Sequence, residues 1–113
     1  MANSVSSKPA NLTAVVVTRN DSRLLLSPFF NRSDGLLLLD ADNNTEEFHS
    51  RDQSGDFSMC DLVLAIRPRR LICGFISSAD KERLQNSDID VRLGISTASI
   101  ESMVASFERL PVA

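Results

Sequence analysis

Histidine, cysteine and long apolar stretches are scarce in this chain. It has one histidine, His49, and two cysteines, Cys60 and Cys73, in 113 residues. Their spacing matches neither a zinc motif nor a Cys-rich iron–sulfur motif, so we predict no tightly bound intrinsic metal. Two cysteines in apolar surroundings are typical of buried free thiols in a reducing compartment, and we expect both to lie in the core. The predicted location is therefore the cytoplasm.

A surplus of basic residues is also missing. With 12 Lys and Arg against 15 Asp and Glu, the formal net charge is -3. This balance argues against a general nucleic-acid binder, which needs a basic face to neutralise phosphates. The densest basic cluster, residues 67–70, reads Arg-Pro-Arg-Arg. We interpret it as a solvated turn, with docking to an acidic partner as the alternative.

The first eleven residues differ in character from the rest. Residues 1–11 are polar and contain no apolar segment of a signal peptide, so we expect a disordered tail. No later apolar stretch approaches the length of a membrane span, and we predict no membrane association. Residues 12–113 are enough for a single domain whose core needs neither a disulfide nor a structural metal.

Three short apolar runs, residues 14–17, 36–39 and 71–76, are the clearest structural pattern. Runs of this length bounded by polar residues predict strands that are covered on both faces. Residues 45–49 and 89–93 alternate between polar and apolar instead, as half-exposed edge strands do. The chain therefore predicts a sheet with a buried centre and two solvated edges. The short apolar piece Leu24, Leu25 and Leu26 is ambiguous.

Three helices are predicted between and after these strands, the first over residues 57–66, the second ending at Gln85 and the third containing apolar residues 100, 103, 104 and 107. Pro68 ends the first helix, because the residue before a proline avoids the α region. The expected helix caps are residues 53–56, Ser77 with Ser78, and Ser96 or Thr97. A turn over residues 41–44 joins the second and third strands into a hairpin.

The resulting order is β-β-β-α-β-α-β-α, in a five-stranded mixed sheet with helices on both faces. This is the three-layer α/β order of ribonuclease-H-like folds, so we considered a nuclease. Such enzymes hold metal ions with carboxylates that include one on the first strand, and residues 12–18 contain none. Asp40 and Asp61 fit turn formers better than ligands. No phosphate loop, nucleophile elbow or Ser-His-Asp set can be assembled, and we predict that the chain is not an enzyme.

Residues 27–40 read SPFFNRSDGLLLLD. This segment resembles the Ser-x-His-Phe-Gly-Arg-Ala motif and following apolar strand of the dinitrogenase iron-molybdenum cofactor binding and biosynthesis domains, often called NifX-like. The resemblance covers about residues 12–107. Residues 69–76 are similar to the strand of that family ending in Cys-Gly or Gly-Gly, residues 84–91 to its Leu-x-x-x-Gly-Ile-x-Val, and residues 96–107 to its closing helix.

The sequence departs from the family pattern at four positions. Phe29 stands where the family often has histidine, while Asn31, Ser77 and Asp88 stand where it has glycine. The lost histidine matters most, because imidazole is a natural ligand for iron or molybdenum and phenylalanine cannot coordinate a metal.

The resemblance implies an accessory protein that transiently carries the iron-molybdenum cofactor or a related iron–sulfur precursor, with nitrogenase or cofactor-assembly proteins as partners. An anionic cluster would lie beyond the carboxyl ends of the strands, where arginines and helix amino termini favour anions. The candidate cofactor-binding residues are Arg19, Arg23, Phe29, Asn31, Arg32, His49, Ser77, Ser78 and Thr97. The alternative is a non-catalytic interaction or regulatory domain of the same fold, in which the arginines are solvated and the hydroxyl residues only cap helices.

Overall fold

The computed structural model describes residues 12–40, 45–50, 58–95 and 97–113. Its strands are β1 (Leu12–Asn20), β2 (Arg23–Leu26), β3 (Gly35–Asp40), β4 (Thr45–Ser50), β5 (Arg70–Cys73) and β6 (Asp90–Leu93), and its helices are α1 (Met59–Ile66), α2 (Ser78–Gln85) and α3 (Ile100–Ala105). Short 3-10 turns cover Phe30–Arg32 and Phe107–Arg109. The predicted tail at 1–11, turn at 41–44 and first cap at 53–56 lie outside the described residues, as does Ser96.

The sheet is mixed and has six strands. Its main path runs β4-β3-β1-β5-β6, and β2 pairs with β1 off this path. β5 and β6 run parallel to β1, whereas β3 is antiparallel to it. The two alternating segments lie at the ends of the path, as their pattern predicts. The prediction of five strands is wrong because it omits β2, and the ribonuclease-H-like class stays a prediction.

β2 belongs to a tight hairpin that the sequence left ambiguous. Asn20 pairs with Arg23, and Val17 pairs with Leu26. The turn between them contains Asp21 with φ 57°, a left-handed conformation that aspartate tolerates better than most residues. Val17 of β1 pairs with β3 on one side and with β2 on the other, so β2 lies on the side of β1 that β5 occupies. β2 therefore continues the line of β5 beyond the end of β5.

Alternate residues of the central strands enter two separate cores. Ala14, Val16 and Cys73 pack toward α1 and α2, in a cluster that includes Val63 and Leu84. On the other face, Val15, Val17 and Ile72 pack toward α3 and the following 3-10 turn, with Met103 and Phe107. This alternation is the period-two pattern of strands that are covered on both faces.

Two helix caps differ from the expected ones. α1 is capped by Ser58, whose hydroxyl accepts the Asp61 N–H at 3.1 Å while the Asp61 carboxylate accepts the Ser58 N–H, so α1 begins two residues later than predicted. α3 is capped by Ser99 and not by Ser96 or Thr97. α2 has the predicted cap Ser77. Arg67, with φ 55°, ends α1 just before Pro68 as expected.

The apolar run over residues 71–76 is only partly a strand. β5 ends at Cys73, and Phe75 is 69% exposed.

The outer edge of β6 is covered by residues 111–113. The Leu93 N–H donates to the Pro111 carbonyl, and the Ala113 N–H donates to the Val91 carbonyl. Among the described residues, no helix is both long and apolar enough to cross a bilayer.

Candidate functional site

Two loop segments, one after β2 and one after β5, meet where the parallel strands end. The Ser27 N–H donates to the Val16 carbonyl at 2.9 Å, and the Phe75 N–H donates to the Pro28 carbonyl at 2.8 Å. The Phe30 N–H donates back to the Phe75 carbonyl at 2.8 Å. These hydrogen bonds fasten the segment after β2 across the end of β5.

Gly74 allows this close approach. A Cβ atom at this position would lie 2.5 Å from the carbonyl oxygens of both Ser27 and Pro28. Such contacts do not occur between real side chains and backbone, so only glycine fits between β5 and the crossing segment. The chain leaves the sheet directly afterwards. That departure is why Phe75 points into solvent instead of extending the buried strand.

A cavity of ≈ 380 Å³ opens between the ends of β5 and β6. It is lined by Gly74, Phe75, Ile76, Lys81, Leu93, Gly94 and Ala113. Its volume lies in the range of small-molecule sites. Among the side chains of the lining, that of Lys81 is charged, and the others are apolar or belong to glycine. The cavity therefore suits a compact ligand that has apolar contacts and a negative charge.

Phe29 and Phe75 form an exposed aromatic pair beside this cavity. Their ring centroids are 6.4 Å apart with an interplanar angle of 71°, an edge-to-face arrangement. Phe29 is 48% exposed and Phe75 69% exposed. Ile95, which follows the cavity residue Gly94, is 50% exposed. An apolar surface thus surrounds part of the cavity.

Asp80 joins two of the predicted site residues. Its Oδ2 accepts hydrogen bonds from Asn31 Nδ2 at 3.2 Å and from Ser77 Oγ at 3.1 Å. Its own N–H donates to Ser77 Oγ at 3.2 Å, as a cap requires. The first turn of α2 therefore fixes the loop that carries Phe29 and Arg32. We call residues Phe29, Asn31, Ser77 and Asp80, with the cavity lining, the carboxyl-end site.

The predicted arginines do not all join the carboxyl-end site. Arg32 lies in the 3-10 turn with Asn31 and is exposed. The guanidinium carbon of Arg19 lies 5.0 Å from the Phe48 ring centroid, beside a separate cavity of ≈ 150 Å³. Arg23, at the start of β2, lines a third cavity of ≈ 400 Å³. None of the lining residues of these two cavities lines the Gly74 cavity.

Three further predicted residues have ordinary surroundings. Ser78 is the exposed first residue of α2, and Thr97 lies exposed in the turn before α3. His49 is near the carboxyl end of β4, as expected, but its Nε2 lies 3.3 Å from Glu47 Oε1 on the same strand. None of these three residues is among those that line the Gly74 cavity.

Both cysteines lie in the core, which confirms that part of the sequence interpretation. Cys73 is fully buried, and this burial raises the pKa of its thiol to about 12. Burial also raises the pKa of Cys60, where the neighbouring Asp80 carboxylate acts in the same direction. Both thiols are therefore held protonated at neutral pH and are poor nucleophiles and metal ligands. The described residues contain no cluster of three or more His, Cys, Asp or Glu side chains that could hold a metal ion.

Lys81, Asp80 and Phe75 are site residues that sequence reasoning missed. Lys81 lies one helical turn after the correctly predicted cap Ser77, with its N–H donating to the Ser77 carbonyl. That spacing was sufficient to place Lys81 near the start of α2. Phe75 belongs to an apolar run of the sequence, and the glycine before it is the signal there of an early strand end.

Comparison with solved structures shows a shared fold. The apo form of the orange protein from Desulfovibrio gigas superposes with a TM-score of 0.77 at 20% identity, covering 91% of this chain and 92% of that one. The protein PH0822 gives 0.68 at 17% identity, covering 89% and 93%. A Thermotoga protein of the DUF35 family, provisionally named NifB, gives 0.66 at 14% identity, covering 89% and 91%. No protein-family model and no curated protein matches the sequence.

Proposed function

We propose that this chain is a non-catalytic accessory protein that binds an anionic metallocluster, the iron-molybdenum cofactor or a related precursor, at the carboxyl-end site. The observation that carries the proposal is the ≈ 380 Å³ cavity with Lys81 as its cation, at the ends of β5 and β6. Open α/β sheets bind ligands at this edge of the sheet. The family resemblance of residues 27–40 supports the same location and the same class of ligand.

The fold neighbours agree with this proposal. The orange protein structure is described as an apo form, a term that implies a second, ligand-bearing form of that protein. The DUF35 neighbour is provisionally named for a nitrogen-fixation protein. On this basis we propose nitrogenase or cofactor-assembly proteins as partners. The two buried free thiols, Cys60 and Cys73, support the cytoplasm as the proposed location.

The residues present fit a cluster whose metal ions are not coordinated by any side chain of this protein. Phe29 replaces the family histidine, and Cys73 is buried and protonated. Binding would therefore depend on the charge of Lys81 in the cavity, on that of Arg32 in the turn next to the site residue Asn31, and on contact of the cluster with Phe75. Such binding is reversible, as a carrier requires.

The test is anaerobic incubation with isolated iron-molybdenum cofactor, followed by gel filtration and metal analysis of the protein peak. We expect molybdenum and iron to comigrate with the wild type, and Lys81→Gln to weaken binding by roughly tenfold. The matched control is Arg69→Gln, which removes the same charge at the opposite end of β5. Absence of molybdenum from the wild-type peak, or an equal loss with Arg69→Gln, would contradict the proposal.

A second candidate function, a protein-interaction domain without a cluster, is favoured by one observation. Phe29 and Phe75 expose 48% and 69% of their surfaces, which is unusual for two adjacent aromatic side chains. If the cofactor does not bind, this aromatic pair is the first surface to test for a protein partner.

A further inference from the structure

A fourth cavity, with a largely polar lining, lies at the opposite end of β5. Its volume is ≈ 470 Å³, and its polar lining comes from Arg70, Ser106, Glu108 and Arg109. Arg70 begins β5, whereas Gly74 in the carboxyl-end site follows its last residue. The cavity contains none of the residues of the carboxyl-end site. Its volume is in the range of sites for small organic molecules.

Phe107 holds two arginines beside this cavity. The guanidinium carbons of Arg70 and Arg92 each lie 5.0 Å from the centroid of its ring. The ring itself is only 2% exposed, because it packs in the core beneath α3. A buried ring cannot move freely, so both guanidinium groups are kept in defined positions by cation–π contact.

The two arginines differ in how their hydrogen-bond donors are used. Arg92 donates to Asp90 Oδ1 at 2.8 Å and to Asp90 Oδ2 at 3.2 Å. It also donates to the carbonyls of Glu108 and Leu110, at 3.2 and 3.0 Å. Arg92 is therefore occupied in holding the end of the chain against β6.

Arg70 makes no comparable hydrogen bonds within the described residues. Its nearest charged partner is Glu108, 3.9 Å away, whose side chain is 85% exposed. That distance is too long for a hydrogen bond. Arg70 is thus positioned by Phe107, and it is one of the residues that line the cavity.

We propose that Arg70 and Arg109 bind the phosphate group of a small ligand in this cavity. Two guanidinium groups match the doubly charged, multidentate oxygens of a phosphate better than a single lysine would. The Ser106 hydroxyl is a further donor in the lining. Glu108 is exposed and not hydrogen-bonded to Arg70, so an anion can displace it at little cost.

The proposal is tested by titrating ¹⁵N-labelled protein with inorganic phosphate and with pyrophosphate at constant ionic strength, with sodium chloride as the reference salt. We expect saturable shifts at Arg70 and residues 106–109. Arg70→Gln and Arg109→Gln should each weaken binding by about tenfold, and Arg70→Lys should weaken it too because the planar fork is lost.

Arg69→Gln is the matched control, because Arg69 precedes Arg70 and is not among the residues that line the cavity. We expect Arg69→Gln to bind phosphate within about twofold of the wild type, because the charge that it removes acts on the ligand only at long range and is screened by salt. Shifts that do not saturate, shifts equal to those with chloride, or an equal loss with Arg69→Gln would overturn the proposal. Arg109 is exposed, so its variant should keep the fold and the test stays valid even if Arg70→Gln is destabilised.

Discussion

Gly74→Ala tests whether the chain crosses the end of β5 as closely as described. The new methyl group would lie 2.5 Å from the Ser27 and Pro28 carbonyl oxygens, and both of these are backbone atoms. The crossing segment must then move, and its hydrogen bonds with Phe75 at 2.8 Å weaken. Overpacking costs about 1 to 3 kcal/mol, and partial weakening of the two hydrogen bonds costs about 1 kcal/mol together, so we expect destabilisation of about 2 to 4 kcal/mol.

The assay is chemical and thermal unfolding followed by circular dichroism. For a domain of this size about 4 °C of Tm corresponds to 1 kcal/mol, so Tm should fall by roughly 8 to 16 °C. Ser78→Ala, at an exposed position in the first turn of α2, is the control and should change the free energy of unfolding by less than about 0.5 kcal/mol. A change as small as this for Gly74→Ala would refute the described contact between the crossing segment and β5.

Three further predictions concern the core, a helix cap and the loop before β3. Cys73→Ser should lower the free energy of unfolding by about 1 to 3 kcal/mol in urea titrations, because it places a hydroxyl in a fully buried strand; unchanged stability would contradict the core position. Ser58→Ala should cost about 1 kcal/mol by removing the α1 cap. Hydrogen bonds from the Ser58 backbone N–H, the larger cause, and from the Ser58 hydroxyl lower the pKa of Asp61. The hydroxyl's share, which Ser58→Ala removes, is present at neutral pH and is lost as acid protonates the carboxylate below its usual value of 3.8. The difference between wild type and Ser58→Ala should therefore shrink in acid, and a difference that grows there would refute this linkage. Arg32→Ala should weaken cofactor binding by about tenfold without lowering Tm, and Phe29→His should tighten binding by supplying an imidazole ligand; equal affinities for all three proteins would count against this loop.

The buried strands were predictable because a strand that is covered on both faces requires a continuous run of apolar residues, which is visible in the sequence. Residues 14–17 and 36–38 are buried, and the alternating β4 and β6 lie at the ends of the main path. The helix caps were less predictable. Several serines occur near the starts of α1 and α3, and local preference alone does not decide which one caps a helix, since packing against the sheet sets the helix start.

The candidate site was only partly predictable, because long-range contacts decide which of the predicted residues lie together. Asn31 and Ser77 do meet, through Asp80, because two predicted elements begin near one another at the end of the sheet. Arg19 and Arg23 were grouped with them because they share one connection in sequence. The hairpin with β2 and the contact of Arg19 with Phe48 are long-range features that separate them. Local sequence pattern carries no information about such contacts.

The most direct test of the central claim is an anaerobic titration of ¹⁵N-labelled protein with isolated iron-molybdenum cofactor, read from the backbone amide signals. If the cluster binds at the carboxyl-end site, the largest perturbations should occur at residues lining its cavity, Gly74, Phe75, Ile76, Lys81 and Gly94. The Lys81→Gln variant should need about tenfold more cofactor to reach the same perturbation. Unperturbed signals at these residues, or perturbations confined to Arg19 with Phe48 or to residues 106–109, would contradict the account.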